Sequence, residues 1–218
     1  MVRPTSSSAC LRVGTRAEHD AVEAGLDLRR LRHPAELAAL LHGWTEVWHG
    51  VQLAAAAPGA AAEATAELLP PATESLRWLE RDLADIGGAS AGVLPHETSA
   101  RTGAAGGSRL RRFLAETSTT WGVAYVLRGS RLGGSVLAPL VRAQLGLTGA
   151  SGTCFLASNG TDPGREWVSF RRRLDAADLL ATDLAAAVDA ARWTFRWVGT
   201  VITSTAAPLP LLAGQAST

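Results

Sequence analysis

Apolar residues recur along most of this chain at the three-to-four-residue spacing of a helix, and almost nowhere at the two-residue spacing of a strand. Leu37, Leu40, Leu41, Trp44 and Trp48 form one such stripe, which predicts a helix from Ala35 to about Ala56 with Pro34 at its first turn. Pro58-Gly59 ends it, and an alanine-rich piece from Ala60 to Leu69 follows. Leu76, Leu79, Leu83 and Ile86 predict the next helix, begun by Pro70-Pro71. Ser7 or Ser8 is placed to cap a first helix running to about Ala24, with Gly25 as its stop. The stretch from Gly87 to Gly107 is rich in Gly, Ser, Ala and Thr and is expected to be a loop. A long apolar segment follows without proline from Ser108 to Ala138, read as one central helix or a broken pair ending near Gly146. After a second irregular stretch over 149–163, helices are expected over Arg165 to Leu174 and Ala176 to about Val198. The β-branched run from Val198 to Thr205 has no partner strand. The expected fold is all-α, one multi-helical domain.

Two places break the simple amphipathic pattern. Gly129, Gly133 and Gly134 lie inside the central helical segment, where each costs roughly 1 kcal/mol relative to alanine. Gly129 and Gly133 are four apart, so they stack on one face and strip it of side chains. Such a face admits a neighbouring helix or a flat ligand. Near the N-terminus, Arg12, Arg16, His19 and Glu23 fall on one helical stripe. A neutral imidazole is a good metal ligand, and arginines one and two turns before it suit a ligand that carries carboxylates.

Composition narrows the classes. A chain of 218 residues with 47% hydrophobic residues can bury a core as one domain. Its net charge of +1 argues against a nucleic-acid protein. Cys10 and Cys154 are far apart and form no CxxC, which suggests neither a disulfide framework nor a zinc site. Met1 to Cys10 lacks the apolar run of a secretory signal. No run reaches membrane-span length, because Pro208 and Pro210 interrupt the apolar tail. A cytoplasmic protein with no membrane partner is expected.

Taken together, Thr15-Arg16-x-x-His19-x-x-x-Glu23 and Tyr125-Val-Leu-x-Gly129-Ser130-x-Leu-Gly133-Gly134 resemble the haem oxygenases, especially the bacterial biliverdin-producing kind. The resemblance covers roughly Leu11 to Trp197. It implies a domain over 11–198; residues 1–10 read as a flexible segment and 199–218, interrupted by Pro208 and Pro210, as a frayed tail. It implies that His19 ligates haem iron, with Glu23 hydrogen-bonding the other ring nitrogen. It places Gly129, Ser130, Gly133 and Gly134 over the opposite face of the porphyrin, with Tyr125 completing that pocket. Arg12 and Arg16 would lie near the propionates, together with Arg171 or Arg172. The implied reaction uses haem as substrate and cofactor, O2, and an external electron donor such as a ferredoxin, a flavoprotein reductase or ascorbate. Its products are biliverdin, CO and iron. Ser130 stands where the animal enzymes have an aspartate, and it supplies no negative charge.

Other readings remain open at this point. A non-catalytic haem carrier or sensor on the same fold would also fit Ser130, and so would a protein of that fold that binds another ligand. Glu46-Val-Trp-His49, with His42 on the same face, has the spacing of one half of a di-iron site. The seven tryptophans read as core and helix-contact residues.

Overall fold

The structure is a computed structural model that describes residues 6–26, 28, 31–87 and 97–205, with the backbone alone for 97–105. Among these residues there are ten helices and no strand. They are α1 (Ser7–Gly14), α2 (Arg16–Gly25), α3 (Pro34–Ala55), α4 (Ala62–Leu68), α5 (Ala72–Asp85), α6 (Glu97–Leu114), α7 (Thr117–Leu145), α8 (Cys154–Ala157), α9 (Pro163–Ala176) and α10 (Ala181–Thr205). The all-α expectation holds.

The core forms where α10 lies on α7 and α3, with α6 packed against both α3 and α10. The expected stripe of α3 is buried throughout: Leu37, Leu40, Leu41, Trp44 and Trp48 all face inward. In α5, Leu79 is fully buried, while Leu76, Leu83 and Ile86 pack half-buried at the core's edge. The β-branched run at the end of α10 is helical, because Val201 and Ile202 are completely enclosed there. That burial overrides their weaker helix propensity.

Several expected boundaries move. Ser6, rather than Ser7 or Ser8, caps α1, its hydroxyl accepting from the Ala9 amide. Helix α1 therefore begins inside the segment expected to be flexible; residues 1–5 lie outside the described structure. The tail expected from residue 199 is helical to Thr205, and residues 206–218 lie outside the described structure. Residues 97–107, expected as loop, belong to α6. Gly106 explains the misreading: a Cβ there would overlap the Trp197 indole, so this glycine admits a neighbour instead of turning the chain. The central segment is a broken pair, α6 and α7, and Pro139 sits within α7 without ending it.

One buried carboxylate fixes the small helix α8. Asp82 of α5 is fully buried and accepts from the Cys154 and Phe155 amides, each at 2.7 Å. These are the orphan donors of α8's first turn. Burial pushes the Asp82 carboxyl above its ordinary value, although the two amides pull the other way. A raised native pKa means the native state binds more protons than the unfolded chain. Asp82's contribution is therefore full below the ordinary carboxylate range and is lost as pH rises through the raised value. In Asp82→Asn, the amide NH2 faces one of these N–H groups and leaves it unsatisfied, at a cost of about 1–3 kcal/mol. Denaturant melts across the acid range should show the gap between wild type and Asp82→Asn narrowing as pH rises. A gap that stays constant or widens would contradict this account.

Candidate functional site

The α1–α2 arm rides along α10 in parallel. The Arg192 Nε donates to the Gly14 carbonyl at 2.6 Å, closing the C-terminal end of α1. Next along the arm, His19 meets Phe195 edge-on, ring centroids 5.6 Å apart at 79°. Val22 then packs against Gly199, where a Cβ would stand 3.0 Å from its methyl. The start of α1 is tied to the end of α9: Asp175 accepts from the Ser8 amide at 2.8 Å and from its hydroxyl at 3.0 Å.

Thr15 divides the arm. It is buried, and its hydroxyl donates back to the Leu11 carbonyl at 2.7 Å, a bond that bends helices. Tyr125 of α7 lies beside this threonine. Burial raises the Tyr125 phenol above its usual value, and the charges of Arg171 and Arg12, with the nearby Thr15 side chain, oppose that rise. Tyr125 is therefore where α1, α7 and α9 bring together residues far apart in sequence. His19 lies one turn along α2 from this junction, its amide bonded to the Thr15 carbonyl at 3.0 Å. Gly129 lies four residues along α7, about 6 Å of helix.

His19 presents an imidazole with about half of its side-chain surface exposed. Glu23 stands 3.7 Å from Nε2, and Asp20, which the sequence reading did not single out, stands 3.7 Å from Nδ1. Both distances exceed a hydrogen bond, so neither carboxylate holds the ring in one orientation. Among the described residues, the ligand atoms of His19, Asp20 and Glu23 gather within 4.8 Å of one another, and those of His42, Glu46 and His49 do not. Arg16 is exposed and lies 3.7 Å from Asp20. Arg171 and Arg172 are exposed on α9; Arg171's charge reaches Tyr125.

The four residues of the glycine segment do different jobs. Gly133 is exposed, and a Cβ added there would meet nothing within 4 Å. At Gly129 an added Cβ would touch only the Trp167 ring, at 3.8 Å. This face of α7 is thus bare, and the missing side chains are not replaced by a tightly packed helix. Gly134 instead receives α8: a Cβ there would lie 2.9 Å from the Leu156 carbonyl oxygen. Close packing explains Gly134, as it explains Gly122, where a Cβ would overlap the Ala187 carbonyl of α10. The half-buried Ser130 donates its hydroxyl to the Leu127 carbonyl at 2.8 Å.

The two arginines beside Ser130 serve the fold. Arg131 is buried, lies over Trp78 at 4.9 Å, and donates to Glu74 at 3.2 Å and to Ser158 at 3.4 Å. Arg128 donates to the Leu68 carbonyl at 2.6 Å and lies over Phe170. These bonds tie the glycine segment to α4, α5, α8 and α9. Two surface cavities, of about 380 and 310 Å³, lie beside α9 and are lined by none of the expected site residues.

Sequence reasoning missed Asp20, Trp167 and Phe195, and it quoted Thr15 only as part of the histidine motif. Asp20 lies inside that motif, but the contacts of both residues depend on tertiary placement. Trp167 read as core, yet its outer ring edge reaches Gly129, while its ring lies 5.2 Å from Tyr125 and 5.7 Å from Phe170.

The sequence matches a family model described as heme oxygenase over residues 6–204. The structure is similar to that of heme oxygenase from Leptospira interrogans, with TM-score 0.69 and 16% identity, covering 91% of this chain and 99% of that one. It is also similar to heme oxygenase-1 from the cyanobacterium Synechocystis in complex with heme, with TM-score 0.66 and 17% identity, covering 91% of each chain. At these identities the structural likeness is one of fold. No curated protein matches the chain. Among the described residues, no helix is long and apolar enough to cross a membrane.

Proposed function

The chain belongs to the haem oxygenase family, and on that premise we propose that it binds haem and cleaves it oxidatively to biliverdin, CO and iron. The observation that carries this reading is the bare Gly129–Gly133 face, one turn from the junction that also sets the His19 turn. A flat macrocycle suits a helix face without side chains, and a nitrogen ligand completes such a site; Gly129 and Gly133 supply the first in this proposal. His19 is the iron ligand in this proposal. The polarity of the carboxylates beside it suits an outer partner for the second ring nitrogen, a role we assign to Glu23. Arg12 and Arg171, whose charges meet at Tyr125, receive the propionates, with the exposed Arg16 and Arg172 as outer cations.

Bound haem supplies the iron at which O2 is reduced and is itself the molecule oxidised. The protein's part is to bind, orient and order water. Because the Ser130 proton is engaged by the Leu127 carbonyl, its oxygen is left as an acceptor for a water on the glycine face. It brings no negative charge. This favours a second reading, a haem carrier or sensor without turnover. Electrons come from outside the chain, from a ferredoxin, a flavoprotein reductase or ascorbate.

The deciding experiment titrates the full chain with haem and then adds ascorbate or a reductase system in air. Loss of the Soret band with growth of a biliverdin band and release of CO is the expected result. A Soret band that survives reductant and O2 establishes the carrier reading instead.

A further inference from the structure

The bare strip on α7 is bounded at one end. Gly133 faces open space, whereas Gly129 is bordered by the Cζ3 and Cη2 edge of Trp167, 3.8 Å from where its Cβ would stand. That indole is fixed on two sides, by the stack with Phe170 at 24° and by the contact with Tyr125. Phe170 is itself buried and packs on Trp121. Trp167 therefore has a backing, and a ligand edge arriving from Gly133 meets a wall. Arg171 lies one turn further along α9, so the wall and a cation for a carboxylate belong to the same rigid element.

We propose that Trp167 is a specificity-determining residue: its indole stops the disc at Gly129 and, with Arg171, fixes the in-plane rotation of haem. The inference rests on the haem-binding reading of this site. A disc held by an axial bond alone is free to rotate about that bond. Two things remove that freedom: cations that grip the propionates and a wall that excludes one rotated perimeter. The rotation decides which meso carbon faces the open end of the strip, and hence which biliverdin isomer forms.

The test uses the full chain and two variants. In Trp167→Phe the ring persists against Phe170, but the outer edge that reaches Gly129 is gone. In Trp167→Ala the wall is removed altogether. The first readout is the proton NMR spectrum of the ferric cyanide-bound haem complex, whose shifted haem-methyl signals report seating without any turnover. Wild type should show one dominant set. The alanine variant should show a second set, with the ratio of seatings shifted roughly fivefold, equivalent to about 1 kcal/mol. The phenylalanine variant should fall between them. The second readout is the biliverdin isomer ratio, which should follow the NMR ratio across all three proteins.

Identical methyl patterns in wild type and both variants would overturn the proposal. If the wild type binds haem but makes no biliverdin, the cleavage reading fails, and the methyl patterns still decide the role of Trp167. Absence of haem binding in the wild type would sink both.

Discussion

His19→Ala should lose the axial haem bond while keeping the fold. The imidazole is half exposed, its two carboxylate neighbours are beyond hydrogen-bonding distance, and among the described residues its ring contact is the T-shaped one with Phe195. Alanine is the better helix former, so thermal stability should change by no more than about 0.5 kcal/mol. Haem affinity should fall by more than the roughly 10- to 100-fold that losing a mere outer partner costs a metal site. The Soret band should broaden and shift, and added imidazole should restore its position. Rescue by imidazole separates a lost ligand from a lost pocket. If the variant's haem spectrum and affinity match those of the wild type, the ligand is another residue, and the α2 stripe is only a solvated face.

The helix-bearing part of this fold was legible wherever burial and period agreed. The α3 stripe is the clearest case: five apolar residues at helical spacing are all enclosed. What misled was glycine at Gly106, which lies in α6 because Trp197 passes there; Gly122 likewise admits α10, and Gly134 admits α8. One residue type records a turn, a close crossing or an open face, and only the neighbour tells them apart. The candidate site divides in the same way. His19 and the glycine pair stood out because they break a local pattern. The Tyr125 junction did not, because its partners come from α1, the Thr15 bend and α9, more than a hundred residues apart in part. Trp167 was invisible for a related reason. Its spacing suits a core residue, and it does pack on Phe170, but its outer edge continues past the core to Gly129.

The glycine argument gives the second large effect. Gly122→Ala places a Cβ on the Ala187 carbonyl, which is backbone and has no rotamer to escape into. Helix α10 must move off α7 along their main contact, at a cost of about 3 kcal/mol. At the scale of this chain that is a fall in Tm of roughly 6–12 °C. Gly133→Ala is the opposite case. The added methyl meets only solvent, and the helix gains up to about 1 kcal/mol from the better propensity. A haem lying on that face has no room for the methyl, so affinity and turnover should drop in a protein that melts later than the wild type. Few other changes to this chain would raise stability and lower binding together, since damage to the fold lowers both. Melting curves and haem titrations of the two variants, taken side by side, measure this directly. If Gly133→Ala melts higher and binds haem as tightly as the wild type, the disc lies elsewhere, and the bare face of α7 is only an unfilled surface.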